Sequence, residues 1–187
     1  IKNVIHSFSV VHNGIIENYE ELKNELIAKG YVFQSDTDTE VIAHLVADYY
    51  TDNLTQAVND AVLRLHGAYA IAVISSVEPE VLVGARQGSP LLVGKTFNSY
   101  YLASDSLALT GYADEITYLE DGDIVKINLN NFFICKKATL ELVTHQRSFA
   151  KIENLVQDAS LGDFANYMQK EIHEQPKAVF DCLSQVT

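Results

Sequence analysis

The sequence predicts an α+β fold, because its first third is patterned for helices and its middle is patterned for short strands. Apolar residues recur at helical spacing in three successive segments between residues 19 and 67. Short β-rich runs joined by brief turns follow between residues 68 and 137. Connections this short favour antiparallel pairing over parallel βαβ units. We therefore expect one helical layer packed on antiparallel sheets.

The first predicted strand is the apolar run 8–11, which is followed directly by the sequence His12-Asn13-Gly14. Asn-Gly after a strand is the strongest short signal for a β-hairpin. No second alternating strand follows, however, because the next residues begin a helical pattern. We therefore interpret Asn13 and Gly14 as the end of a strand that does not turn a hairpin.

Three helices are predicted next from their start signals and apolar spacing. Asn18 with Glu21, and Thr37 with Glu40, have the spacing of a capping box. The third helix has apolar residues at positions 54, 57, 58, 61, 62 and 65. Gly67 is expected to close this helix, since glycine is common just beyond a helix end.

Six runs in the middle of the chain are predicted to be strands, and a short helix over 105–109 interrupts them. The runs are AYAIAVIS, EVLVGAR, SYYLAS, EITYLE, DIVKINL and FFICKK. A change of character near residue 157 suggests two domains, 1–156 and 157–187. In the second, a helix is expected over 164–174, with a separate helix starting at Pro176.

Composition excludes several classes of function. The 187 residues carry 13 Lys and Arg against 25 Asp and Glu, giving a net charge of −12. This charge argues against a nucleic-acid partner and against a basic membrane-surface helix. No apolar run is long enough to span a bilayer. A small-molecule or protein partner is therefore expected.

Cysteine and histidine usage predicts neither a disulfide framework nor a metal site. Cys135 and Cys182 are 47 residues apart and belong to no CxxC motif, as is typical of a protein from a reducing cytoplasm. The six histidines show no ligand spacing. The stretch GARQGSP has the wrong glycine spacing for a phosphate-binding loop. We expect no metal and no cofactor.

Two places in the sequence could carry chemistry. The Asn13 amide and the Gly14 main-chain N–H could together form an oxyanion hole, which stabilises charge on a carbonyl oxygen. The alternative is that Asn13 is a turn residue with positive φ. Asp38 could bind a ligand ammonium group, because Thr37 already provides the predicted helix cap. The alternative for Asp38 is a carboxylate that only favours the helix start.

Longer stretches resemble a known family. The string VVHNGIIENYEELKNELIAKGYVFQSDTDTEVIAHLV is similar to the glutaminase domains of glucosamine-6-phosphate synthases, which are class II glutamine amidotransferases. GAYAIAV, VGARQGSPLLVG, LASDSLAL, YLEDGDIVKI and YMQKEIHEQPKAV extend this resemblance in collinear order over essentially the whole chain. The resemblance implies an N-terminal-nucleophile hydrolase fold, an αββα sandwich of two antiparallel sheets between helical layers.

The resemblance also implies a reaction and its residues. An N-terminal cysteine attacks the amide of L-glutamine and forms a thioester. Ammonia then leaves for a downstream isomerase domain, which aminates fructose 6-phosphate. By their matching positions, Asn13 and Gly14 correspond to the oxyanion hole, and Asp38 corresponds to the carboxylate that binds the substrate α-ammonium. A cytoplasmic, homodimeric parent enzyme of amino-sugar (hexosamine) biosynthesis is implied.

The sequence departs from the family pattern at its beginning. Ile1 cannot act as a nucleophile, and the family's Arg-containing segment that holds the substrate carboxylate is missing. Neither Cys135 nor Cys182 matches the nucleophile position. We therefore expect an incomplete domain, an internal piece of a longer protein, which is inactive as it stands.

Other functions stay open at this stage. One is the glutaminase of another class II amidotransferase, such as amidophosphoribosyltransferase or asparagine synthetase. A different class of function is a non-catalytic binding module with the same fold.

Overall fold

The computed structural model describes residues 7–152 and 161–184. The chain divides into two compact units, residues 1–152 and 153–187. The domain boundary predicted between residues 156 and 157 lies outside the described residues. In the first unit the helices are α1 (Tyr19–Ala28), α2 (Asp38–Tyr49) and α3 (Leu54–Val62). Its strands are β1 (Phe8–Ile16), β2 (Gly67–Ser75), β3 (Leu82–Gln87), β4 (Leu92–Lys95), β5 (Tyr100–Ala103), β6 (Glu115–Tyr118), β7 (Asp123–Ile127), β8 (Phe132–Lys136) and β9 (Ala150–Lys151).

The strands of the first unit form two antiparallel sheets, as predicted. One sheet has the order β1-β2-β3-β7-β8, and the other has the order β5-β4-β6-β9. Every strand pair in the described part of the chain is antiparallel. The short helix expected over 105–109 is a 3-10 helix at Ser106–Leu109.

Two apolar clusters hold these layers together. The first lies between the three helices and the five-stranded sheet, and it includes Leu26, Ile42, Val58 and Ile71. The second lies between the two sheets, where Ala70 and Val125 of one sheet meet Val93 of the other. The layer order is therefore helices, five-stranded sheet, four-stranded sheet. The described residues of this unit thus form three layers of an αββα sandwich.

The predicted helical stripes are buried, but the helix boundaries differ from prediction at Gly67. The six apolar positions of the third pattern are all buried, yet α3 ends at Val62. Gly67 begins β2 instead, with φ of 113°. A Cβ atom there would lie 2.3 Å from the carbonyl oxygen of Ile15. The glycine thus allows β1 and β2 to approach closely and does not cap the helix.

Neither predicted capping box forms. The Asn18 side chain donates to the carbonyl of Arg64 at 2.9 Å and accepts from the N–H of His66 at 3.0 Å. The Glu40 carboxylate accepts from the N–H groups of Gln34 and Ser35 at 2.8 and 2.7 Å. Both side chains stabilise loops next to the helices, because the loop N–H and C=O groups otherwise lack partners.

One strand and one helix differ from prediction in extent, and the short strands β4 and β9 were not predicted. β1 continues through Asn13 and Gly14 to Ile16, so these residues do not end the strand. The strand β4 was missed, since its four residues are too few to show alternation. In the second unit, α4 (Tyr167–Ser184) runs through Pro176 as one helix. A proline costs about 3 kcal/mol inside a helix but does not forbid helical φ and ψ on both sides.

Candidate active site

The candidate site lies along β1, an edge strand of the five-stranded sheet. Among the described strands, β1 pairs only with β2, and Asn13 lies opposite Ala70 while Gly14 lies opposite Tyr69. The other edge of β1 faces the first turn of α2. The positive-φ residues of the described chain other than glycine are Ala138 and Leu140. The turn alternative for Asn13 is therefore wrong.

The main-chain N–H of Gly14 points away from β2. In an antiparallel pair, alternate residues direct their N–H and C=O groups towards the partner strand. At the two ends of this ladder, Ser76 donates to the carbonyl of Ser7 and Glu17 donates to the carbonyl of His66, both at 2.9 Å. The odd-numbered residues of β1 thus face β2. The N–H groups of Gly14 and Ile16 both project from the opposite edge.

Glycine is required at position 14. Its φ is 140°, and a Cβ atom would lie 2.1 Å from the carbonyl oxygen of Ala68. Such a distance is far below any van der Waals contact, so a side chain would push β1 away from β2. The glycine therefore allows the tight pairing that directs its own N–H outwards.

The Asn13 side chain is exposed and lies on the sheet face opposite His12. A cavity of about 230 Å³ adjoins it, lined by both sheets. The lining includes Asn13 and Ala70 from one sheet and Leu102 and Ser104 from the chain around β5. An amide donor thus borders a largely apolar cavity, as is typical of small-molecule sites.

Asp38 is the first residue of α2, and its carboxylate reaches the outer edge of β1. Its Oδ2 atom accepts a hydrogen bond from the N–H of Ile16 at 2.8 Å. The side chain is 24% exposed, so part of the carboxylate remains accessible to a ligand. The position at the start of α2 also places the negative charge at the favourable end of the helix dipole.

Gly14 and Asp38 are brought to the outer edge of β1, and the Asn13 side chain lies on the adjoining sheet face. Gly14 and Ile16 are two residues apart in a strand, which corresponds to about 7 Å along the chain. The N–H of Gly14 and the carboxylate of Asp38 are therefore separated by roughly that distance along the edge. The sequence placed Asn13 beside Gly14, but the fold alone brings Asp38 next to them.

Two residues of this site were not predicted. The His12 side chain is buried, being only 2% exposed, and its Nδ1 atom lies 3.1 Å from Oγ1 of Thr39. Burial lowers the pKa of His12, and the nearby Asp38 charge partly opposes that effect. The second residue is Thr39. His12 directly precedes Asn13, and Thr39 directly follows Asp38. This adjacency to predicted residues is the signal that sequence reasoning could have used.

Cys135, the free cysteine that the structure describes, is unsuited to be the nucleophile of this site. The Cys135 thiol is buried on β8, and burial raises its pKa. A raised pKa leaves little thiolate, which is the reactive form. Among residues 7–152 and 161–184, no group of three or more His, Cys, Asp or Glu side chains is arranged to hold a metal ion. No helix in the same ranges is long and apolar enough to cross a membrane.

The two-sheet sandwich with a donor-bearing edge strand is the N-terminal-nucleophile hydrolase fold of class II glutamine amidotransferases. The glutamine phosphoribosylpyrophosphate amidotransferase of Bacillus subtilis superposes with a TM-score of 0.61 and 28% identity, over 71% of this chain and 29% of that one. The allosteric regulatory enzyme of purine biosynthesis superposes with a TM-score of 0.63 and 27% identity, over 75% of this chain and 30% of that one.

Sequence comparison assigns the family. The glutamine amidotransferase domain pattern matches residues 2–111, more than half of the chain, and the chain belongs to that family. A glutamine–fructose-6-phosphate aminotransferase (isomerizing) from Bordetella pertussis is 52% identical over 178 residues. This match covers 95% of the chain but 29% of the relative. The chain thus spans less than a third of the length of that relative.

Proposed function

We propose that the chain is the glutamine-hydrolysing part of a longer enzyme that uses the released ammonia to make glucosamine 6-phosphate. The observation that carries this proposal is the shared edge of β1, where the outward N–H of Gly14 and the Asp38 carboxylate lie about 7 Å apart. An extended glutamine can reach both, with its ammonium group at Asp38 and its side-chain amide at Gly14.

Asn13 and Gly14 act as the oxyanion hole. When a nucleophile adds to the glutamine amide carbon, negative charge develops on the amide oxygen. The Asn13 side-chain N–H and the Gly14 main-chain N–H donate hydrogen bonds to that oxygen. Donors already fixed in position stabilise the charge without reorganisation, and one such donor is worth about 10²–10³ in rate. The paired strand fixes the Gly14 donor.

Asp38 provides recognition of the amino acid. A charge-assisted hydrogen bond from the α-ammonium group to a carboxylate is stronger than a neutral one. The hydrogen bond from Ile16 holds Oδ2 in place. Asp38 therefore favours a substrate with a free α-ammonium group over one whose α-amino group is blocked as a neutral amide. It also fixes the distance from the ammonium group to the oxyanion hole.

The covalent step needs a cysteine thiolate supplied by a segment of the complete protein outside the printed sequence. Its sulfur bonds to the amide carbon, the carbon–nitrogen bond breaks, and the nitrogen takes up a proton and leaves as ammonia. Water then cleaves the thioester, releasing glutamate and the thiol. Buried Cys135 does not serve this purpose.

The acceptor we propose is fructose 6-phosphate, bound by an isomerase domain beyond the printed sequence. The name of the Bordetella pertussis relative supports it, at 52% identity. We also propose that the complete enzyme is a homodimer in the cytoplasm, with no nucleic-acid or membrane partner. The net charge of −12 supports the last point.

A phosphoribosylpyrophosphate acceptor is the second candidate, because one solved structure with this fold is a glutamine phosphoribosylpyrophosphate amidotransferase. A second structure with this fold is a regulatory enzyme of purine biosynthesis. Their identity to the chain is 28% and 27%, about half that of the aminotransferase relative. A non-catalytic binding module would not require an outward N–H at Gly14 beside an amide and a carboxylate. We therefore favour the aminotransferase.

The test uses the complete gene product. Glutamate release from glutamine is measured with fructose 6-phosphate, with phosphoribosylpyrophosphate, and with neither. Formation of glucosamine 6-phosphate with the first acceptor supports the proposal. Product formation only with the second acceptor would instead identify a phosphoribosylpyrophosphate amidotransferase. Glutamine binding without hydrolysis would identify a binding module.

A further inference from the structure

The His12 ring joins β1 to the start of α2. Its Nδ1 atom lies 3.1 Å from Oγ1 of Thr39 and 3.8 Å from Oδ1 of Asp38. The ring is on the helical face of the sheet, since β1 residues alternate between faces and Ile16 is buried in the helical cluster. His12 thus lies inside the layer interface, on the side away from Asn13.

The hydrogen bonds of this group have one consistent direction. The Thr39 hydroxyl lies 3.4 Å from Oδ1 of Asp38, and an ionised carboxylate can only accept. The hydroxyl proton therefore belongs to the Asp38 bond, and the Thr39 oxygen accepts from His12. This arrangement requires a proton on Nδ1 of His12. The resulting series runs from His12 through Thr39 to Asp38.

The surroundings of the other ring nitrogen, Nε2, indicate that the His12 ring is neutral. Nε2 of His12 is buried and has no hydrogen-bond partner among the residues the structure describes. A proton there would place an unsatisfied charged donor in the interior, which is costly. The lowered pKa of His12 agrees with this reasoning.

The series connects the two halves of the proposed site. His12 immediately precedes Asn13 and Gly14, and Thr39 immediately follows Asp38. Of the described contacts, the Ile16 N–H bond and the Thr39 bond hold the Asp38 carboxylate, one on each oxygen. Removing the His12–Thr39 link leaves Oδ1 held only by a rotatable hydroxyl.

We propose that His12 is a positioning residue that, through Thr39, fixes the Asp38 carboxylate relative to the oxyanion hole. This proposal rests on the proposed glutamine-hydrolysing function. The His12 ring lies on the face of β1 opposite the Asn13 side chain, so its proposed role runs through Thr39 and not through contact with the substrate. A histidine that only fills the core would affect stability but not the Michaelis constant for glutamine.

Thr39→Val and His12→Gln in the complete enzyme test the link. Valine keeps the shape of threonine without its hydroxyl, and glutamine places its amide near Nε2 and not near Nδ1. We expect the KM for glutamine to rise about tenfold or more in both, with a smaller change in kcat. His12→Asn, whose amide nitrogen can replace Nδ1, and Thr39→Ser should keep KM within about threefold of the wild type.

Thr55→Val is the matched control. Thr55 is the second residue of α3, as Thr39 is of α2, and its buried hydroxyl lacks a hydrogen-bond partner among the described residues. Its removal should leave KM unchanged. If Thr39→Val and His12→Gln lower the melting temperature but keep KM within twofold while Asp38→Asn raises it, the positioning role is overturned and the proposed function stands. If the wild-type enzyme hydrolyses no glutamine, both proposals are overturned.

Discussion

The main-chain N–H of Ile16 donates a 2.8 Å hydrogen bond to the Asp38 carboxylate. This bond crosses from the open edge of a sheet to the first residue of a helix, 22 positions along the chain. It satisfies a donor that the sheet leaves unpaired, and it holds the carboxylate beside the outward N–H of Gly14. The carboxylate that we propose to bind the substrate and the Gly14 N–H that we propose to be an oxyanion donor therefore lie along the same strand edge.

Replacing Asp38 by asparagine should weaken glutamine binding with little loss of stability. The asparagine oxygen can still accept from Ile16. Its Nδ2 amide then takes the place of Oδ1, so the charge and the hydrogen bond accepted from Thr39 are both removed. We expect KM for glutamine to rise at least tenfold, since a charge-assisted bond becomes a neutral one. Asp36→Asn is the control, because the exposed Asp36 carries the same charge two residues earlier. Steady-state kinetics with equal KM in both variants would contradict the assignment of Asp38.

Gly14→Ala should be far more destabilising than Gly30→Ala. Both glycines have positive φ, but a Cβ at position 14 meets Ala68 at 2.1 Å and one at position 30 meets nothing within 4 Å. We expect a loss of more than about 3 kcal/mol of unfolding free energy for Gly14→Ala. For Gly30→Ala the left-handed conformation alone costs about 1–2 kcal/mol. Urea unfolding measures both, and similar losses would mean that the β1–β2 contact is not as tight as described.

Glu40 should stabilise the fold through the loop before α2, in a pH-dependent way. Hydrogen bonds from Ser35 and Gln34 lower the pKa of Glu40 from 4.5 to about 2. The stabilisation is therefore complete above pH 4.5 and is lost as the pH falls towards 2. Glu40→Gln should cost about 1–3 kcal/mol at neutral pH. The difference in unfolding free energy from the wild type should shrink on acidification, and a difference that is constant with pH would contradict this view.

The burial of His12 predicts a second pH effect in a different range. Because burial holds the folded-state pKa below the ordinary value of 6.5, the unfolded chain binds the proton more readily. The contribution of His12 to the unfolding free energy should therefore be constant above pH 6.5. As the pH falls below 6.5, this contribution should lower the unfolding free energy. His12→Asn removes the titrating group and this contribution. The unfolding free energies of the wild type and of His12→Asn, measured about one pH unit on either side of 6.5, should differ in their pH dependence. Parallel pH dependences of the two proteins would contradict this prediction.

Local patterns predicted the helices and the antiparallel strands, and they singled out Asn13, Gly14 and Asp38 as candidate site residues. They failed where the partner of a side chain is distant in sequence. Asn18 has the sequence of a helix cap, yet its hydrogen bonds reach Arg64 and His66. The direction of the Gly14 N–H depends on pairing with β2, more than 50 residues away. No local pattern contains that information.

The partly buried His12–Thr39 contact was missed for a similar reason. Both residues were visible beside predicted site residues, but a histidine in an apolar stretch has no spacing signal of its own. Only the packing of α2 on β1 brings the imidazole within 3.1 Å of the hydroxyl. Tertiary contacts of this kind decide which polar residues are buried, and they follow from the whole fold.

Steady-state glutamine hydrolysis by Asn13→Ala and Asn13→Asp variants of the complete enzyme is the direct test of the proposed oxyanion hole. Alanine removes one oxyanion donor, and aspartate replaces that donor by a negative charge of similar shape. We expect kcat to fall about 10²-fold or more for alanine and further for aspartate, with KM for glutamine little changed. Turnover at the wild-type rate in either variant would contradict it.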